Sequence, residues 1–274
     1  MRALRRMECG SLWLVSAFLL SAAALCVFGM DGLGADVRVW GLGKSLHGVH
    51  EWRGQLVLND WETGAVFLLD VATGSVQQLP VLVHKYVCDI EIDGDVLSAI
   101  GEGDRYIEQH DLVTGFPLSL IPIPSESGLE AFDIQGFERV GSTIYLLGCS
   151  RTQKTCGSHL HRIVTMDAVS GELLGIADGY TCGELVGLQQ RGAHLWTFEY
   201  GPGLLWEVQR GSDTFTLERS VGVLSQLPAG SLAEGGLVGF CLAEDFIVLT
   251  SIWANGPRQD SHVHILEYPA GFPL

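Results

Sequence analysis

The sequence predicts an all-β chain: a five-bladed β-propeller of four-stranded antiparallel blades, carried behind an N-terminal targeting segment. Three observations carry this. A turn signature running from an acidic residue to a glycine recurs after apolar stretches, and a tight hairpin turn recurs ahead of each copy. The 35 glycines and 47 % apolar residues, with few helical patterns, suit many short strands joined by tight turns.

The first element is residues 1–35. Arg2, Arg5 and Arg6 precede an apolar run from Leu12 to Phe28, broken only by Ser16 and Ser21. A basic start, an apolar stretch and then small residues make an export signal, with cleavage after Gly29 or Ala35. The run also approaches the roughly 18–20 residues that span a bilayer, so an uncleaved anchor stays open. Cys26 follows Leu25, where a lipidation site wants a small residue. Either attachment keeps the basic end inside and exports residues 36–274 as one domain, to the periplasm, the cell envelope or the exterior. Contact with a membrane is expected through the N-terminal segment alone.

The repeat comes next. FLLDVATG ends at Gly74, IEQHDLVTG at Gly115 and IVTMDAVSG at Gly171, with weaker copies at Gly211 and Gly271. An acidic residue closes a strand, and glycine supplies the positive φ that turns the chain back. Ahead of these, five segments align on one tight turn: HGVHEW-RG-QLVL, VCDIEI-DG-DVLS, IQGFER-VG-STIY, LVGLQQ-RG-AHLW and LVGFCL-AE-DFIV. The turn spacings are 40, 47, 51 and 52 residues, the length of a four-stranded blade. The blades predicted are 47–80, 87–122, 131–176, 184–222 and 236–271. The last lacks an outer strand, and VRVWGL (residues 37–42) is placed to supply it and close the ring. An irregular six-bladed ring stays open, because residues 218–236 have room for an extra strand.

The alternation of DVATG, DLVTG and DAVSG with WRGQLVL and VGSTIYLL resembles the broad NHL, SMP-30 and quinoprotein-like class of propellers. The opening GLGKSLHGVHEWRGQLVLNDWETG is similar to the first blade of propeller-type glutamine cyclotransferases. The characteristic phenylalanine-threonine-glutamine-glycine-leucine and glutamate-serine-threonine motifs of that family are absent. No catalytic residue is carried over from it.

In such blades the first-to-second and third-to-fourth turns share one face, and here they are uniformly short. The length variation falls on the other face, in SRTQKTCGS, WANGPRQDSH, SESGLEAF and SQLPAGSLAEGG. Insertions gathered on one face mark the binding face of a repeat protein. The expected ligand-binding residues there are His47, His50, Trp61, His84, Tyr200 and Trp253, since aromatic loop tips stack on sugar rings or grip peptides. Rim packing between blades is the alternative role for the aromatics. Asp89, Asp133, Glu184 and Glu234 are expected near the channel mouth, where such carboxylates hold a divalent cation such as Ca²⁺, or otherwise bond backbone amides. The pairs His159/His161 and His262/His264 fall on one side of a strand each, without a third ligand, and read as structural.

Cys149 and Cys156 bracket a polar hairpin loop and form the natural local disulfide of an exported protein. Cys88, Cys182 and Cys241 lie at or near inner strands, as buried thiols or in a second bridge. The net charge is −16, and −17 without residues 1–35, which excludes nucleic acid as a partner. There is no GxSxG, P-loop, HExxH or CxxC motif. A protein, peptide or glycan held on the long-loop face is the expected partner. The alternative is a cation-dependent hydrolase, lactonase or cyclotransferase with its site at the channel mouth.

Overall fold

The computed structural model describes residues 38–41, 45–101, 103–155, 158–181, 183–199, 202–223, 235–253, 260–268 and 272. At residues 38–41, 153–155, 158, 235–237, 252, 253 and 260 the description is of the backbone. Its strands form five antiparallel four-stranded sheets, the blades of a propeller ring.

Blade one is β2 (Leu46–Trp52), β3 (Gln55–Asp60), β4 (Ala65–Leu69) and β5 (Val76–Leu82). Blade two is β6 (Val87–Asp93), β7 (Val96–Gly101), β8 (Tyr106–Asp111) and β9 (Pro117–Pro122). Blade three is β10 (Phe132–Val140), β11 (Thr143–Thr155), β12 (Ser158–Asp167) and β13 (Leu173–Thr181). Blade four is β14 (Leu185–Arg191), β15 (His194–Glu199), β16 (Leu204–Arg210) and β17 (Phe215–Gly222). Blade five joins β18 (Gly235–Leu242), β19 (Phe246–Trp253) and β20 (Asp260–Glu267) to β1 (Arg38–Gly41). Arg38 pairs with Ile265 and Gly41 with His262, so the N-terminal strand closes the ring as the sequence predicts.

The repeated turns have a common cause. The Asp70 carboxylate accepts hydrogen bonds from the amides of Ala72 and Thr73 before Gly74 turns back at φ 70°. Asp111 and Asp167 repeat this ahead of Gly115 and Gly171. Those donors, from Thr73, Thr114 and Ser170 foremost, hold the three carboxyls below their usual pKa.

Two sequence expectations need correction. The inner hairpin turns aligned as Arg53–Gly54, Asp93–Gly94, Val140–Gly141 and Arg191–Gly192, but Asp93 pairs with Val96, Val140 with Thr143 and Arg191 with His194. Three of the turns are therefore Gly94–Asp95, Gly141–Ser142 and Gly192–Ala193. Glycine takes the first central position there, as a type II′ turn requires. In blade one Arg53 (φ 55°) and Gly54 (φ 75°) are both left-handed, a type I′ turn that puts glycine second. The segment SRTQKTCGS, expected as a loop, is largely strand, with Lys154 opposite His159 and Thr155 opposite Ser158.

The core is five apolar layers, one between each pair of neighbouring blades. Leu46, Leu58 and Phe67 of blade one meet Val248 and Ile265 of blade five. Phe198 and Trp196 of blade four meet Phe240 and Leu249 of the same fifth blade on its other side. Near the axis the inner strands approach too closely for side chains. A Cβ on Gly136 of β10 would lie 2.4 Å from the Gly187 Cα of β14.

Candidate functional site

Two clusters of chemistry-bearing side chains stand out, one where blades one and two meet and one along the inner strands of all five blades. The first lies on the long-loop face. Asp60 ends β3 and accepts hydrogen bonds from the Glu62 and Thr63 amides, and Gly64 turns at φ 74°. The repeat's turn chemistry is used here on the opposite face, and it presents Trp61 in a fixed position. The Trp61 amide donates to the Ser45 carbonyl (2.7 Å), and the Trp61 carbonyl accepts from the Tyr86 amide (2.8 Å). His47 stacks on the indole with centroids 5.1 Å apart and planes 11° apart, and Tyr86 meets it edge-on at 4.7 Å. Burial pushes the His47 pKa down to about 4, so at neutral pH it is an uncharged aromatic ring in this stack. Tyr86 is 55 % exposed, and its backbone is left-handed at φ 70°.

Two residues before Tyr86, His84 is clamped by carboxylates. Its Nδ1 lies 2.8 Å from Glu108 Oε1 and its Nε2 lies 2.8 Å from Asp104 Oδ2. Glu108 Oε2 also lies 3.4 Å from His110 Nε2. The hydrogen bonds to Asp104 and Glu108 outweigh burial and hold the His84 pKa up at about 10. Burial pushes the Glu108 carboxyl up, but His110 and His84 more than reverse this and bring it to about 2. The Tyr106 ring lies 6.5 Å from His84, so the His47–Trp61–Tyr86 stack and the charged clamp flank one connection, residues 83–86.

The second cluster is a polar belt on the inner strands. Strand register gives His50, Glu91, Glu138, Gln189 and Cys241 equivalent places, opposite Val57, Ser98, Tyr145, Trp196 and Val248. His50 Nε2 lies 3.1 Å from Glu91 Oε1. Glu138 faces Glu91 and accepts from the Gln190 amide. Gln189 Oε1 accepts from the Leu242 amide (2.5 Å) and Glu51 from the Glu244 amide (2.7 Å), tying blade four to five and five to one. Burial, then the Glu91 charge, pushes the Glu138 pKa well up. Burial lowers the His50 pKa, but Glu91 outweighs it and holds it at about 9. Burial, with the Glu51 and Glu91 charges, pushes the Cys241 thiol up.

The predicted site residues thus part company. His47, Trp61 and His84 come together, whereas His50 belongs to the belt. Asp89 is buried and gives its two oxygens to the amides of Ile90 and Phe137, at 2.9 Å each, and burial raises its pKa to about 8. Asp133 pairs with Arg151, and Glu184 accepts from Gln135 Nε2 at 3.2 Å. Among the described residues no three His, Cys, Asp or Glu side chains converge as a metal would require. Glu234, Tyr200, Cys156 and Cys182 lie outside the described residues, as does the Trp253 side chain at the end of β19. Cys149 is buried opposite His161. His161 itself is structural, its Nδ1 3.1 Å from the Thr181 hydroxyl and its Nε2 accepting from the Leu185 amide. His264 lies 2.9 Å from the Ser251 hydroxyl.

Tyr86 and the belt escape the sequence reading. The belt is visible down the aligned hairpins once blade one is shifted by a residue to match its turn. Tyr86 carries no periodic signal.

No protein-family model matches the chain, and no curated protein matches it. Solved structures do. The glutaminyl cyclase of Myxococcus xanthus superposes with a TM-score of 0.54 at 10 % identity, over 82 % of this chain and 91 % of that one. A PQQ-bound aldose sugar dehydrogenase from Streptomyces coelicolor gives 0.45 at 11 % identity, covering 85 % and 100 %. BamB from Moraxella catarrhalis gives 0.39 at 14 %, covering 88 % and 84 %. At 10 % identity the likeness to the glutaminyl cyclase is one of fold, a β-propeller.

Proposed function

We propose that this chain is an exported propeller that holds a partner, either a protein segment, a peptide or a glycan, on its long-loop face, with Trp61 and Tyr86 at the contact. The observation that carries it is Tyr86. A large aromatic residue stands exposed in a left-handed backbone, a conformation that costs a non-glycine residue about 1–2 kcal/mol. Its amide is fixed to the carbonyl of a tryptophan that is itself stacked. Strain retained to present an aromatic ring is the pattern of a ligand contact, and an exposed ring beside a half-buried indole suits a sugar face or an apolar peptide side chain. The basic-then-apolar N-terminus supports export, and in that compartment Cys149 and Cys156 pair. A Ca²⁺ ion at the channel mouth has less support, since Asp89 and Asp133 already have donors.

Glycan and peptide arrays probed with the purified protein test this reading. Binding should fall by about thirtyfold or more in Trp61→Ala and Tyr86→Ala, the effect of removing a central aromatic contact. Undiminished binding by both variants would remove the site from this face.

A further inference from the structure

The opposite end of the ring, where the tight hairpin turns lie, carries a cavity of about 300 Å³ between blades three and four. Tyr145 of β11, His194 and Leu195 of β15, and Glu207, Val208 and Arg210 of β16 line it. Its size is that of a small-molecule pocket.

The charges of this cavity do not balance internally. Glu207 is already spent: its Oε1 is paired with His194 and its Oε2 accepts from Arg219 Nη2 at 2.6 Å. These partners hold its carboxyl below the usual range although burial opposes them. Arg210 is left over. Its Nε is buried with no hydrogen-bond partner, and among the described residues the guanidinium makes no ion pair. The chain has 32 acidic against 16 basic residues, so an arginine without a counter-charge stands out. Its place is prepared nevertheless. A Cβ on Gly175 of β13 would lie 2.5 Å from Arg210 Nη2, so glycine at that position makes room for the guanidinium. A buried donor without an acceptor costs free energy unless something supplies the acceptor.

We propose that this cavity binds a small organic monocarboxylate. The carboxylate accepts from Arg210 Nε–H and the neighbouring Nη–H in the planar two-pronged geometry that a guanidinium offers. The carbon body lies against Tyr145, Leu195 and Val208. Glu207 in the wall disfavours a second negative charge, which sets a monocarboxylate above phosphate. The site is separate from the aromatic stack, and neither depends on the other.

Isothermal titration of the purified protein with benzoate and hexanoate tests it, with benzamide as the neutral isostere and inorganic phosphate as the competing oxyanion. At least one of the two carboxylates should bind, with benzamide and phosphate at least tenfold weaker. Arg210→Gln should abolish binding, and Arg210→Lys, which keeps the charge but loses the fork, should weaken it about tenfold or more; thermal melts report whether each variant folds. If Arg210→Gln does not fold, Arg210→Lys carries the test. Failure of both carboxylates to bind, equal binding of benzamide, preference for phosphate, or undiminished binding in a folded Arg210 variant would each overturn the assignment.

Discussion

Glu91 and Glu138 face each other across the join between blades two and three, and each has a buried oxygen, Oε2, that no hydrogen-bond donor reaches. Two carboxylates in contact cannot both stay ionised away from water, so one proton lies between them. His50 from blade one pairs with the far side of Glu91, so a single shared proton links three blades. Glu138→Gln should reproduce the protonated state permanently, its amide donating to Glu91 while its oxygen keeps accepting from Gln190. The variant should melt about 3 °C above the parent at pH 8.5, where about 1 kcal/mol is worth that much in a domain of this size. An unchanged melting temperature there would rule out the shared proton.

The same cluster fixes the direction of the pH dependence. Asp89, raised from 3.8 to about 8, and His50, raised from 6.5 to about 9, bind protons more tightly folded than unfolded. His84, at about 10, does likewise. The contribution of Asp89 is full below about 4 and lost as the pH rises to about 8. Those of His50 and His84 are full below 6.5 and lost as the pH rises to about 9 and about 10. His47 and His264, lowered to about 4, act oppositely, but only between 4 and 6.5. Thermal melts should therefore fall steadily from pH 6.5 to 9. A melting temperature that is flat or rising across that window would contradict the protonation states of Asp89, His50 and His84.

Packing near the axis gives a third expectation. Gly136→Ala drives a methyl group into the Gly187 backbone, which has no side-chain end that can swing aside. The cost should be about 1–3 kcal/mol, read as a fall in melting temperature of roughly 3 °C or more. A variant as stable as the parent would mean that the inner strands lie further apart.

Ring closure gives a fourth. Removing residues 1–41 takes away β1 and bares the outer edge of β20, whereas removing residues 1–35 leaves the pairing intact. The shorter protein should melt lower and elute partly as dimers or larger species in size-exclusion chromatography, because an open edge pairs with other chains. Equal melting and monomeric elution of both would show that β1 is dispensable.

The ring was legible because its turns are chemical. Asp70, Asp111 and Asp167 must accept from amides two and three residues on, and Gly74, Gly115 and Gly171 must be left-handed, so period and strand order show in single letters. The belt was not, for two reasons. Glu91 and Glu138 sit in strands whose alternation already accounts for a polar residue. His50 falls out of column because Arg53, rather than a glycine, takes the first left-handed position of its turn. On the loop face, His47, Trp61 and His84 were readable as loop-end residues, but the contact between Trp61 and Tyr86 depends on how residues 83–86 cross from one blade to the next. The cavity around Arg210 draws on side chains from two blades, and no local pattern records that.

The closing sheet also sets an order of events. Arg38 waits for Ile265 and Gly41 for His262, so the earliest strand of the ring in chain order pairs with its latest. Four blades complete themselves from neighbouring segments, whereas the fifth requires a contact that spans nearly the whole chain, the kind that forms late and slowly. Until then the molecule is an arc with two unsatisfied ends, and the join between β1 and β20, four residue pairs long, is where the finished ring will reopen first.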